Sequence, residues 1–285
     1  MNIKNAKFEV TFTSKGGEML SFQDLETKVN YLWQGSEQFW TGKNPTLFPI
    51  VANTYTKQYK AKGNIYALKN HGFIRISNLT CIKQDETSIA FALCSNEATR
   101  QVYPYEFRYQ IHYMLCDSTL QIDYKIKNKD NETMPFGFGL HPGFNCPITS
   151  KEMFEDYKLV FEEVEELEQL IFEGQTKPYY KKVKMKELAF NYSEFKKVST
   201  YIFKGMKSKF VSLQSKRHSI RISIEGFTYL ALWTASKGAP FVCIEPWCTL
   251  PDFQKNDISF EQREGMINLK PDEEFNISYT ISIEK

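Results

Sequence analysis

Long apolar runs are missing from this chain. Nowhere do about eighteen apolar residues follow one another, so no stretch suits a membrane-spanning helix and no membrane partner is expected. The opening residues, Met1-Asn2-Ile3-Lys4-Asn5-Ala6-Lys7, lack the apolar core of a secretion signal. Paired cysteines are absent too. Cys81, Cys94, Cys116, Cys146, Cys243 and Cys248 are scattered with no C-x-x-C spacing. Most are expected inside apolar strands as small hydrophobes, which points to a reduced, cytoplasmic, soluble protein. Nor is there an excess of one charge. The 36 Lys and Arg against 34 Asp and Glu leave a formal +2, and basic residues are interleaved with acidic ones. Without a basic stripe carrying aromatics, nucleic acid is not expected as a partner. No Gly/Ser/Pro linker and no repeat of propeller length divides the 285 residues. A chain this long buries roughly three-quarters of its unfolded surface, so neither disulfide nor metal is needed to hold a core. The reading is one domain, 1–285.

What the chain does have is alternation. Lys7 to Phe12, Ser88 to Leu93, Phe107 to Leu115, Leu120 to Ile126, Ser219 to Ile224, Tyr229 to Trp233 and Glu274 to Ile283 are read as strands, most of them alternating between apolar and polar residues. Gly16-Gly17 and Cys116-Asp117-Ser118 fall between such runs as hairpin turns. Helical periodicity is scarce. The acidic run Glu162 to Glu168, the lysine-rich Lys181 to Lys186 and Ser193 to Lys197 are read as solvated connections with room for a turn or two of helix. Many antiparallel strands at short spacing predict an all-β fold, a large antiparallel two-sheet sandwich.

Three stretches stand apart. Pro135 to Asn145 packs three glycines, two prolines, three phenylalanines and His141 into eleven residues, a strand running into a rigid aromatic corner. Asn70-His71-Gly72-Phe73-Ile74-Arg75 carries a second histidine. If extended, it sets His71, Phe73 and Arg75 on one face; a hydrogen-bonded strand-end histidine is the plainer alternative. Cys243-Ile244-Glu245-Pro246-Trp247 ends an apolar run in a carboxylate. A buried carboxylate either finds a partner or shifts its pKa upward, and near neutrality it becomes a usable general base; a structural salt bridge is the other reading. His112 and His218 are expected at the surface. Trp233 is assigned to core packing, at the far side of the turn Ala235 to Pro240 from Trp247.

In that order, Asn70-His71-Gly72-Phe73, Leu140-His141-Pro142-Gly143-Phe144 and Cys243-Ile244-Glu245-Pro246-Trp247 resemble the aldose 1-epimerase (galactose mutarotase-like) family, most closely its bacterial branch associated with lactose and galactose operons. The likeness runs over nearly the whole chain. It implies a β supersandwich and an isomerase of carbohydrate metabolism acting on an aldohexose, free or phosphorylated, with no cofactor, as a monomer or homodimer. Carried over by position, Glu245 matches the catalytic base and His141 the catalytic acid. His71 matches the histidine that binds and polarises the sugar, and Arg75 an arginine often found after it. Trp247 joins the substrate-binding set. One departure stands out: many relatives have Gly-Arg where this chain has Ala52-Asn53, so Asn53 stands in the place of a sugar-contacting arginine.

The implied reaction interconverts α and β anomers. Glu245 takes the proton of the C1 hydroxyl while His141 gives one to the ring oxygen, across a space the size of a pyranose; the ring opens, turns about C1–C2 and recloses. Two other readings stay open: a metal site built from the two histidines and Glu245, although no His-x-His pair is present, and a non-catalytic sugar-binding or sensing domain.

Overall fold

The computed structural model describes every residue except 173–176, 236–237, 256–257 and 285. Alternation becomes strand wherever one face is covered. In Phe107–Cys116 the side chains of Phe107, Tyr109, Ile111, Tyr113 and Leu115 are buried, while the residues between them turn outward. Its neighbours do the same in register: Leu120 lies opposite Leu115 and Ile122 opposite Tyr113, and on the other side Ile122 faces Tyr279. A slip by one residue would turn all these side chains to water, so burial holds the register.

Fifteen of the described strands form one antiparallel sheet. Across it run Thr46–Leu47, Gly139–Leu140, Phe241–Trp247, Tyr229–Trp233, Thr200–Lys204, Lys158–Ile171, Phe210–Gln214, Ser219–Ser223, Glu274–Glu284, Thr119–Asn128, Phe107–Cys116, Ser88–Cys94 and Thr80–Gln84. Gly143–Asn145 also pairs with Phe241–Trp247, and Tyr179–Ala189 with Lys158–Ile171. Ten steps at about 4.8 Å would set Thr46–Leu47 roughly 48 Å from Phe107–Cys116 in a flat sheet. Yet the ring of Phe48 lies 6.0 Å from that of Tyr109. The sheet therefore folds over on itself, and its two halves face each other across a shared apolar core. The expected large antiparallel sandwich is what forms.

Phe48 is the hub of that core near the site. It is fully buried, with the rings of Phe73, Tyr103, Phe107, Tyr109 and Phe136 at 5.4–6.0 Å. Burying such a side chain contributes about 1.5–3 kcal/mol. It also fixes the backbone from Phe48 to Ala52, on which His71 rests.

Several sequence expectations change. The acidic and lysine-rich runs are not connections but the two arms of a long hairpin, Lys158–Ile171 and Tyr179–Ala189. Glu166 faces Lys184 and Glu168 faces Lys182; opposite charges directly across a ladder are mutually favourable. Ser193 to Lys197 does fall in a short helix, Tyr192–Lys197. Asn70 to Ile76 is not extended. His71 and Gly72 have φ of 64° and 70°, and Ile74–Ile76 is a 3-10 turn. Cys146, Cys243 and Cys248 are buried, but Cys81, Cys94 and Cys116 are exposed at strand edges and ends. His218 is not a plain surface residue: its Nδ1 lies 2.8 Å from the buried Glu152 carboxylate, which also accepts from Tyr157 and Ser215. His112 is half-buried. Of the turn Ala235 to Pro240, Ser236 and Lys237 lie outside the described residues.

Candidate active site

The strand Phe241–Trp247 is buried along its whole length. Its even side chains, Val242 and Ile244, enter the main core, whereas the odd ones face the other way. Phe241 and Cys243 join a small aromatic cluster with Trp33, while Trp247 joins another with Leu47, Val51, Tyr229 and Ala231. Glu245 stands between them, its carboxyl 1 % exposed.

What lies beside Glu245 follows from register. Gly139 pairs with Trp247 and Gly143 with Cys243, so the position halfway, His141, falls opposite Glu245. Pro142 has no N–H to give the ladder, and the strand is interrupted there. His141 Nε2 lies 3.4 Å from Glu245 Oε2. On the other side of Glu245 the ladder places Ala231, whose methyl group leaves the carboxyl room. The glycines serve the same end. A Cβ on Gly139 would lie 2.7 Å from Trp247 Cδ1, and one on Gly143 would lie 3.1 Å from Trp40 Cζ3. They let two indoles close over the strand.

Those indoles wall the imidazole. Trp40 stacks on His141 at 4.7 Å between ring centres, and Trp233 meets it edge-on at 5.7 Å. Trp33 holds Trp40 in place by donating from its indole to the Trp40 carbonyl at 2.9 Å. Trp233, expected in the core, thus belongs to the site, and Trp40 was not anticipated at all. Gly143 was the only trace of it in the sequence.

His71 arrives from the opposite side on a tight turn. A Cβ on Gly72 would sit 2.1 Å from the Phe48 carbonyl oxygen, so only glycine fits. The turn is clamped twice to Ala52, whose carbonyl accepts from the His71 N–H at 2.8 Å and whose N–H donates to His71 Nδ1 at 3.1 Å. The His71 and His141 rings meet edge-on, 5.3 Å apart. Arg75 lies close enough for its charge to act on both histidines and on Glu18. Glu18 in turn accepts the N–H groups of Lys43 and Asn44.

His71, His141, Glu245 and Trp247 are therefore brought together, with Arg75 at electrostatic range. Asn53 is less central. It lines a groove of about 810 Å³ with Lys57, Asn70, Phe73 and Asn96, and neither His141 nor Glu245 lines that groove. The strongly perturbed titratable groups lie instead with the buried pair. No pyranose-sized gap separates the expected acid from the expected base; they touch. The correction makes chemical sense. The two oxygens of a hemiacetal share one carbon, so an acid and a base on adjacent positions can each come within about 2.6–3.2 Å of one of them.

Burial pushes the Glu245 carboxyl well above the usual carboxylate range, with the Trp247 indole N–H opposing it. Burial, then His71 and Arg75, hold His141 well below the usual histidine value. His71 is lowered to about 4 by burial and then by Arg75. A carboxylic acid beside a neutral imidazole is thus the favoured resting form, because taking two charges out of water costs more than their attraction returns unless hydrogen bonds satisfy them. His141, Cys243 and Glu245 also bring one nitrogen, one sulfur and one oxygen within 4.8 Å. Burial pushes the Cys243 thiol up as well.

A family model described as Aldose 1-epimerase matches residues 1–282. Chromosomal and plasmid forms of Protein LacX from Lactococcus lactis subsp. lactis are each 29 % identical over 300 aligned positions, covering 99 % of both chains. Among solved structures, a galactose mutarotase related enzyme from Lactobacillus acidophilus superposes with a TM-score of 0.91 at 28 % identity, over 100 % of this chain and 97 % of that one. A galactose mutarotase-like protein from Lactobacillus casei gives 0.92 at 25 % identity, over 100 % and 99 %.

Proposed function

Because the chain belongs to the aldose 1-epimerase family, we propose that it interconverts the α and β anomers of an aldohexose, as a single cytoplasmic domain without a cofactor. The observation that carries this reading is the desolvated pair, Glu245 and His141, in contact at 3.4 Å within an aromatic-walled row of the sheet.

The resting pair holds one proton, which burial favours on Glu245. When a sugar binds, its hydroxyls hydrogen-bond the carboxyl and lower the cost of charge. The proton then passes from Glu245 to His141 Nε2. The carboxylate takes the proton of the C1 hydroxyl, and the imidazolium gives its own to the ring oxygen as the C1–O bond breaks. Glu245 is now protonated and His141 neutral, the same form that burial favours in the empty site. The open aldehyde is thus held in the state the protein stabilises best. Rotation about C1–C2 and closure return the protons with the other anomer formed. Each general catalyst contributes about 10²–10⁴-fold, ample for a reaction that also runs unaided in water.

His71 keeps its Nδ1 lone pair on the Ala52 N–H. In its neutral form it therefore carries a proton on Nε2 and can donate to a sugar oxygen. Arg75 adds positive charge beside that oxygen. Glu245 is 1 % and His141 7 % exposed, so a sugar reaches the pair only as a wall moves. Trp40, on a half-exposed loop, is the wall placed to do so.

The test is polarimetry over a panel of free and phosphorylated hexoses. Accelerated mutarotation of at least one sugar is expected, and the panel identifies it. If a sugar binds and none is turned over, the chain is a sugar-binding or sensing domain instead, a reading that the Asn53 departure supports.

A further inference from the structure

Beside His141, among residues that do not include Glu245, lies a void of about 10 Å³. That is room for the centre of one water molecule, which needs about 10–15 Å³. Met19, Leu140 and Pro142 give it an apolar floor, and four tyrosine, amide and imidazole side chains with one more phenol supply its polar lining. Two of the phenols are already engaged: Tyr113 donates to the Gly17 carbonyl at 2.7 Å, and Tyr124 is held by Thr46. The other three side chains are not. Asn44 Oδ1 and Nδ2, His141 Nδ1 and the Tyr279 hydroxyl are buried with no hydrogen-bond partner among the described residues. These residues are 8 %, 7 % and 1 % exposed. Leaving one buried polar group unpaired costs about 1–3 kcal/mol. Three residues that carry four such atoms line one water-sized void, which makes it a site rather than an accident of packing.

We propose that Asn44 and Tyr279 hold a single buried water against His141 Nδ1, and that this water sets the tautomer of the imidazole and supports it as the acid. The water accepts from Nδ1–H, donates to Asn44 Oδ1 and shares a third hydrogen bond with the Tyr279 hydroxyl, within the two to four partners a buried water needs. With the proton on Nδ1, the Nε2 lone pair faces Glu245 and is free to receive its proton. Once Nε2 is protonated, the same water accepts from the imidazolium, which stabilises charge where burial opposes it. Everything else facing the ring works differently. Glu245 meets Nε2; His71 and Arg75 place like charge beside the ring; Trp40 and Trp233 cover its faces; and the Cys243 thiol lies within 4.8 Å. None of these side chains accepts a hydrogen bond from Nδ1, and the His141 backbone itself also favours the protonated ring. Asn44 and Tyr279 are positioning residues, since neither touches the sugar in the proposed reaction.

This inference rests on the acid role proposed for His141, but its test reads the ring and not turnover. Two-bond proton–nitrogen NMR of the histidine-labelled full chain reports which ring nitrogen carries the proton. In the unaltered protein His141 is expected as the Nδ1–H tautomer, with a slowly exchanging ring proton. Tyr279→Phe keeps the ring and removes only the hydroxyl; it should speed exchange of that proton at least tenfold. Asn44→Leu with Tyr279→Phe should convert most of the ring to the Nε2–H tautomer. If the double variant does not fold, Tyr279→Phe alone decides. An Nε2–H tautomer in the unaltered protein, or ring signals unmoved by Tyr279→Phe, overturns the proposal. Anomer exchange measured on the same samples separates the two readings. A tenfold lower kcat at constant KM in Tyr279→Phe joins them, and an altered ring with unaltered kcat denies the water its part in the acid role.

Discussion

His71 offers a prediction whose size can be worked out. Its Nδ1 accepts the Ala52 N–H, so a proton added there would set two donors against each other. Burial and Arg75 hold its pKa at about 4 against an ordinary 6.5. In the unfolded chain the ring takes up a proton near 6.5, while in the folded chain it resists until about 4. The unfolded state therefore binds more protons in this window, and stability falls as pH falls through it. At about 1.4 kcal/mol for each pH unit, the span from 6.5 to 4 gives a loss of about 3.4 kcal/mol, complete below pH 4 and absent above about 6.5. His71→Asn tolerates the left-handed backbone at this position and removes the titration. Urea unfolding of both proteins from pH 8 to pH 4 isolates the effect, because carboxylates common to both cancel in the difference. The unaltered protein should lose about 3 kcal/mol more than the variant between pH 6.5 and 4. A difference that stays flat across that range would show that the turn does not hold the ring neutral.

Removing the wall should loosen the pair. Trp40→Ala deletes ring contacts to His141, Trp233 and Phe241. At about 0.5–1.5 kcal/mol each, the loss is about 1.5–4.5 kcal/mol, or a Tm lower by about 3–8 °C in a chain of this size. Water admitted to the pair should also narrow the pH–rate profile, moving the acidic limb up as His141 takes a second proton more readily and the basic limb down as Glu245 loses its proton more readily, and unmoved limbs would deny Trp40 its desolvating part. Gly72→Ala places a Cβ 2.1 Å from the Phe48 oxygen at a φ of 70°. Unfolding titrations should show a loss of about 2–5 kcal/mol from strain and overpacking, with anomer exchange falling in parallel as His71 is displaced.

How much of this could be read in advance depended on the range of the interaction that decides it. Strands such as Phe107–Cys116 were legible because a half-buried strand writes its burial into alternate residues. Glu245 was legible because a carboxylate ending an apolar run is chemically out of place. Its pairing with His141 was suggested by family likeness, but across a sugar-sized space, and the sequence did not show that the two would touch. That depends on Gly139 and Gly143 pairing with Trp247 and Cys243, about a hundred residues away. The turn at His71 was not legible, and the extended alternative stayed open, because the deciding contact, Gly72 against the Phe48 carbonyl, is likewise tertiary. The charged runs misled for a related reason. Glu166 and Lys184 look like solvated connection until their register sets them opposite each other. Trp40 and Trp233 left almost no mark, since an aromatic residue in a loop or strand reads as core until its neighbours are known.

Saturation-transfer NMR between the two anomers of the sugar identified by the panel gives the sharpest test of Glu245 itself. Glu245→Gln keeps the shape and the uncharged state of the buried acid while removing its ability to take and return a proton. The variant should still bind the sugar and stay folded, yet exchange its anomers no faster than buffer does. Exchange at the rate of the unaltered protein would contradict the account, because the reaction would then run without the carboxyl that the fold sets against His141.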